Sequence, residues 1–192
     1  MGASQPQIWL VRHGETAWSR EGRHTGRTDL PLTDRGEAQA RALGALMGGR
    51  SFALVLSSPL RRARDTCALA GYASMARTTE DLCEWDYGDL EGKTSAEIRA
   101  ERPHWTIFSG EVPGGESGAE VAARARRVLA ACARAEGDAA LFAHGHVLRV
   151  LAACWLGLGP EGGRYLALAT ATLSVLSHEH EECVISLWNR SP

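Results

Sequence analysis

Three apolar runs in this chain each lead into basic residues. Arg12-His13-Gly14 follows Ile8 to Val11, Arg61-Arg62 follows Phe52 to Leu56 after four residues, and His144-Gly145-His146 follows Ala139 to Ala143. Arginine presents a planar fork of donors that matches phosphate oxygens. A histidine after a strand, taken alone, is more often a satisfied core or capping residue than a catalyst. Three such strand ends together favour one anion-handling site, because ligands of open parallel sheets sit beyond the carboxyl ends of the strands.

The arginines give a second clue. Arg61, Arg62 and Arg64 fall in or near the first turn of an expected helix, whose amino end already carries about half a positive charge. Either they turn to solvent and to carboxylates such as Asp65, or at least one faces a bound anion. Phosphate would require a nucleophile, and the usual ones are missing. No cysteine has an arginine at the spacing of a thiol phosphatase loop: Ala73 and Asp138 stand where Cys67 and Cys132 would need one. There is no D-x-D-x-T segment and no G-x-S-x-G elbow. Gly88 to Thr94 is one residue short of a nucleotide P-loop, and Gly157 to Gly162 matches G-x-G-x-x-G but follows a helix and contains Pro160. Histidine remains.

The elements that would position these residues alternate. Ile8 to Val11, Phe52 to Leu56, Ala139 to Ala143, Thr172 to Leu176 and Val184 to Leu187 have the length of buried strands. Between them the spacing predicts helices over Thr33 to Leu46, with Thr33 as cap, and over Pro59 to Ala70, with Ser58 before it. Two more are predicted over Glu116 to Ala135 and Val147 to Leu156. This order implies an α/β fold, a mostly parallel sheet between two helical layers with right-handed crossovers. One domain is expected over residues 1 to 192, with an irregular insertion at about 73 to 115 lying over the site. His178 and His180 read as part of a polar hairpin turn rather than as metal ligands.

Composition narrows the class. Lys and Arg number 21 against 23 Asp and Glu, a net charge of -2, and 44% of residues are hydrophobic, which argues against disorder and against a protein that coats polyanions. Neither nucleic acid nor membrane is an expected partner, and no apolar run reaches the length of a membrane span. The five cysteines form no C-x-x-C pair and are odd in number, so neither a zinc site nor a full disulfide framework is expected. Met1 to Gln7 is polar and lacks the pattern of a signal peptide. The expected compartment is the reducing cytoplasm, and association with copies of itself is compatible with the sequence.

Leu10-Val11-Arg12-His13-Gly14-Glu15-Thr16 resembles the signature of the histidine phosphatase superfamily, in its phosphoglycerate mutase-like branch. The resemblance continues through Thr25-Gly26, Leu30 to Thr33, Ser57 to Ala63, Glu84 to Gly88, Gly115 to Ser117 and Ala143 to His146, nearly the whole chain. It implies the three-layer α/β/α fold of that branch and no metal or other cofactor. It also implies that His13 is the nucleophile and becomes a phosphohistidine, while Arg12, Arg62 and a protonated His144 hold the phosphoryl oxygens. Glu84 matches the proton donor, flanked by Trp85 and Tyr87. Thr25 and Gly26 match a loop that approaches the phosphate through hydroxyl and backbone, Ser19 stands where many relatives have Asn, and His146 stands where the mutases have Asn. With Gly145, these residues are the expected substrate contacts. The mutases carry a longer insertion with an Arg-Arg pair, whereas Arg126-Arg127 reads as the solvated face of a helix. Hydrolysis of a small phosphorylated metabolite, a sugar phosphate or bisphosphate, is therefore expected over 2,3-bisphosphoglycerate-dependent mutase activity. A non-catalytic phosphoprotein-binding module would normally have lost His13 or Glu84, and both are present.

Overall fold

The computed structural model describes residues 5–192. The start of the polar lead-in Met1 to Gln7 lies outside the described residues. In chain order the elements are β1 (Ile8–Arg12), α1 (Ala17–Glu21), α2 (Asp34–Met47), β2 (Leu54–Ser57), α3 (Arg61–Leu69), β3 (Ala76–Thr78), α4 (Ser95–Glu101), α5 (Gly118–Ala133), β4 (Ala139–Ala143), α6 (Gly145–Trp155), β5 (Leu173–Glu179) and β6 (Glu182–Arg190). Short 3-10 turns occur at Glu80–Leu82, Gly88–Leu90 and Pro160–Tyr165.

The sheet order is β3-β2-β4-β1-β5-β6. The first four strands in that order pair in parallel, β5 pairs antiparallel with β1, and β6 antiparallel with β5. The two-residue period of the strands sends alternate side chains to opposite faces. Leu10, Leu141 and Ala143 pack with Val121, Ala125 and Val128 of α5 and Leu148 and Leu151 of α6. Val11, Ala140 and Phe142 pack with Leu43 and Met47 of α2 and Cys67 of α3. Helices thus cover both faces, which is the three-layer α/β/α arrangement.

Caps set the helix starts. Thr33 accepts from the Gly36 N–H at 3.0 Å, and Asp34 and Glu37 favour the positive end of α2. Ser117 and Glu120 form a reciprocal capping box on α5. The α3 helix begins at Arg61 rather than Pro59, because Leu60 stays extended and the Ser58 hydroxyl is engaged by His144. α6 starts at Gly145, two residues before the expected Val147, directly after His144.

The stretch from 73 to 115 is more regular than expected, contributing the edge strand β3 and the helix α4. β3 has three residues and α4 has seven, too short for a clear periodic signature in sequence. The turn between β5 and β6 falls at His180 and Glu181, as the hairpin reading expected. His178 packs edge to face on Trp155, with ring centroids 4.8 Å apart.

Candidate active site

β1 and β4 are parallel neighbours with Arg12 opposite Ala143, so His13 and His144 leave the sheet side by side. Their rings stand 5.1 Å apart, edge to face, and both are buried. His13 Nδ1 lies 2.7 Å from the Gly14 carbonyl, which can only accept, so the proton belongs on Nδ1 and Nε2 keeps its lone pair. Burial, then Arg62 and Arg12, holds His13 well below the usual imidazole pKa, with the Gly14 carbonyl acting in the opposite direction. The ring is neutral at neutral pH.

His144 differs from the expected imidazolium. The Arg62 Nε–H donates to its Nδ1 at 3.0 Å, and its Nε2 lies 2.8 Å from the Ser58 hydroxyl. With Nδ1 accepting, the proton belongs on Nε2. Burial and then Arg62 hold His144 well below the usual range. The expectation of a protonated His144 is therefore corrected. Arg62 occupies the lone pair that a second proton would need and already supplies the positive charge.

Arg62 is fully buried against His144. Its Nη1 donates to the Thr28 carbonyl at 2.9 Å, and its Nη2 to the Thr25 and Gly26 carbonyls at 3.0 Å. With Nε on His144, four of the five guanidinium N–H groups of Arg62 are engaged. The cluster at the start of α3 thus divides between the two expected readings: Arg61 pairs with Asp65 at 3.2 Å, and Arg62 turns inward. Arg12 donates through Nη1 to the Leu168 carbonyl, while its buried Nε has no acceptor among the described residues. A Cβ on Gly145 would stand 3.1 Å from the Arg12 Cζ, so glycine leaves this guanidinium its place.

Glu84 stands opposite, buried at the amino end of α6. Its Oε1 accepts from the Trp85 and Val147 N–H groups and its Oε2 from that of His146, each at 2.9 Å. It thereby caps a helix to which it does not belong. Arg124 of α5 holds the segment in place, donating to the Asp81, Cys83 and Glu84 carbonyls while forked onto Glu116 at 2.9 Å. Sequence reasoning read Arg126-Arg127 as the solvated face of this helix and did not single out Arg124.

Residues 8–191 match the family model of the histidine phosphatase superfamily, branch 1. The chain belongs to this superfamily. It is 39% identical to an acid phosphatase of Mycobacterium tuberculosis, an alignment covering 94% of this chain and 90% of that one. It is 35% identical to a sedoheptulose 1,7-bisphosphatase of Saccharomyces cerevisiae over 84% of this chain and 71% of that one. A probable phosphoglycerate mutase of Salmonella choleraesuis is 33% identical over 95% of this chain and 89% of that one. Among solved structures, a mycobacterial glucosyl-3-phosphoglycerate phosphatase complexed with VO3 superposes with a TM-score of 0.87 at 30% identity, covering 97% of this chain and 100% of that one. This histidine phosphatase is an enzyme of the phosphatase class.

Above the buried histidine phosphatase cluster lies a cavity of about 390 Å³, within the range of small-molecule sites. Arg12, His13, Glu84, Gly145 and His146 reach it, as do Ser19, Thr25 and Tyr87. The Ser19 hydroxyl is already engaged with the Thr16 backbone at 2.8 and 3.0 Å, and the Tyr87 hydroxyl lies 2.5 Å from His146 Nδ1. Four expected site residues do not line the cavity. Arg62 and His144 lie beneath it. The Gly26 N–H, expected to face phosphate, is held by the Glu91 carboxylate at 2.9 Å. Trp85 is buried to one side, its Nε1 on the Glu116 carbonyl at 2.8 Å.

The cavity also gathers residues that were not among the expected site residues, chiefly Arg23, His24, Arg99, Phe108, Arg149 and Arg164. Arg149 was legible in principle: it stands four residues after Gly145 and three after His146, on the same face of α6. Arg99 and Arg164 come from a seven-residue helix and a 3-10 turn with no sequence signal linking them to the site.

Among the described residues, no three His, Cys, Asp or Glu side chains group to hold a metal ion, and no helix is long and apolar enough to cross a membrane. The five cysteines are free, and burial pushes the Cys67 and Cys132 thiols up to about 12.

Proposed function

We propose that this chain is a metal-independent phosphomonoesterase that hydrolyses small phosphorylated metabolites, sugar phosphates or bisphosphates, through a phosphohistidine on His13. The observation that carries this reading is the fixed tautomer of His13, whose Nε2 lone pair is left free beside Arg12. Nε2 attacks phosphorus as the bond from phosphorus to the ester oxygen breaks. Positive charge grows on the ring and is shared with the Gly14 carbonyl through Nδ1–H. Arg12 offsets the charge on the phosphoryl oxygens, and the buried charge of Arg62 behind His144 adds to the field.

Glu84 takes the acid role. Its carboxyl gives a proton to the leaving oxygen. Water then attacks the phosphohistidine, Glu84 accepts the proton, and inorganic phosphate leaves with His13 neutral again. Burying His144 as a neutral acceptor makes it a support for Arg62 rather than a second cation. The phosphatase names of the acid phosphatase and sedoheptulose 1,7-bisphosphatase relatives favour release of phosphate over its transfer.

The test is phosphate release from phosphomonoesters by the wild type in excess EDTA and by His13→Ala. The wild type should turn over undiminished, and His13→Ala should lose on the order of 10³-fold or more. Inactivation by EDTA that a divalent metal reverses, or 2,3-bisphosphoglycerate-dependent interconversion of phosphoglycerates with little phosphate release, would contradict the proposal.

A further inference from the structure

We infer that the substrate carries a second oxyanion, bound by Arg149 of α6 with Arg99 of α4 across the cavity. This inference rests on the phosphatase reading above and specifies which esters that site prefers.

The charge around the cavity is one-sided. Arg12, Arg23, Arg99, Arg149 and Arg164 line it, and Glu84 is the single acid among them. Both Glu84 oxygens are already taken by backbone N–H groups. The transferring phosphoryl group engages the His13 end and needs no more than Arg12 and the Arg62 cluster. Arg149 lines the same cavity and is half-buried. Its Nε donates to the Gly163 carbonyl at 3.0 Å, and its guanidinium lies 4.5 Å from the centroid of the Phe108 ring. These contacts hold the fork in one orientation, and among the described residues neither Nη has an acceptor and no carboxylate lies within salt-bridge distance.

Arg99 repeats the pattern. Its Nε is fixed on the Trp105 carbonyl at 2.8 Å, its Nη groups have no acceptor among the described residues, and no carboxylate pairs with it. A guanidinium oriented by its Nε, half-buried at Arg149 and exposed at Arg99, with both outer nitrogens open toward a cavity, suits bidentate capture of a phosphate or carboxylate. Desolvating such a cation without a counter-charge costs stability, and an anionic ligand offsets that cost. Phosphate and carboxylate share this chemistry, so the two sources are separated by experiment.

The measurement is kcat/KM for two matched pairs: fructose 1,6-bisphosphate against fructose 6-phosphate, and 3-phosphoglycerate against glycerol 3-phosphate. The wild type should favour the doubly acidic member of at least one pair by about 10-fold or more, and the pair with the larger preference identifies the second group. Arg149→Met, which retains a side chain to cover Phe108, should narrow that preference about 10-fold, and Arg149→Lys should restore part of it. Arg99→Met, at an exposed position where folding is not at stake, should narrow it further in the same direction. Absence of preference in both pairs, or equal losses for both members in the arginine variants, overturns the inference. p-Nitrophenyl phosphate separates the two levels. If the wild type turns it over without discriminating within the pairs, the second-anion site alone fails; if nothing is turned over, the phosphatase reading fails and this inference with it.

Discussion

The floor and the rim of the cavity use the same side chain in opposite ways. At the floor, Arg62 is buried with four of its five N–H groups spent on carbonyls and on His144. At the rim, Arg149 and Arg99 each spend only Nε, on the Gly163 and Trp105 carbonyls. A guanidinium tied at four of its five N–H groups cannot swing to follow a ligand. It fixes a field and the orientation of the histidine beside it, as preorganised electrostatic catalysis requires. A guanidinium with open outer nitrogens contributes little until an anion arrives. On the two proposals above, bond breaking belongs to the floor and choice of substrate to the rim.

Substitutions at the floor should therefore cost more than substitutions at the rim, and should act on every ester alike except where the leaving group differs. Glu84→Gln gives the largest separation. An alkyl phosphate, whose leaving oxygen needs a proton, should slow on the order of 100-fold or more. The burst of phenol from an activated aryl phosphate should be much less affected in rapid-mixing measurements. Equal losses in the two would remove Glu84 from the acid role. The rim variants described above should cost about 10-fold, and only on doubly acidic esters. If they depressed aryl phosphate hydrolysis as deeply as a floor variant, the division between the two regions would collapse.

The smallest effect is on stability. Burial, reinforced by neighbouring arginines, holds His13, His144 and His146 below the ordinary imidazole range. Below the unfolded value of about 6.5 the unfolded chain binds protons that the native state refuses, so stability falls as pH drops from there through the depressed native values. Each neutral histidine contributes up to about 1.4 kcal/mol per pH unit within that window. Urea denaturation at pH 7 and at pH 5 should show the loss, and His146→Gln should make it shallower. Stability that is flat or rising toward pH 5 would mean that these rings are charged in the fold.

The floor was legible in sequence and most of the rim was not, for physical reasons. Arg12, His13 and His144 follow apolar runs whose length marks buried strands, and a parallel sheet brings consecutive strand ends to one edge. The strands themselves came out within a few residues, with Ala139–Ala143 matching its expected bounds. What pattern could not supply was hydrogen-bond direction. Nothing in the sequence says that Arg62 would donate to His144 Nδ1 and leave that ring neutral, or that Glu91 would take the Gly26 N–H. Of the rim residues, Arg99 and Arg164 sit on the short α4 and a 3-10 turn whose positions are fixed by tertiary packing, whereas Arg149 follows His146 on α6. Arg124 was hidden for a related reason: on a helix rich in alanine and arginine, only the partner segment Asp81 to Glu84 distinguishes the inward arginine from the solvated ones.

The central claim is that His13 Nε2 receives the phosphoryl group. Rapid quench of wild type mixed with 32P-labelled alkyl phosphate into alkaline detergent, followed by peptide mapping at alkaline pH, is the decisive experiment. The account predicts a labelled, acid-labile adduct on the peptide carrying His13, formed at a rate that supports turnover and absent from His13→Ala. An acid-stable adduct, a label on another residue, or steady turnover by His13→Ala at the wild-type rate would contradict it.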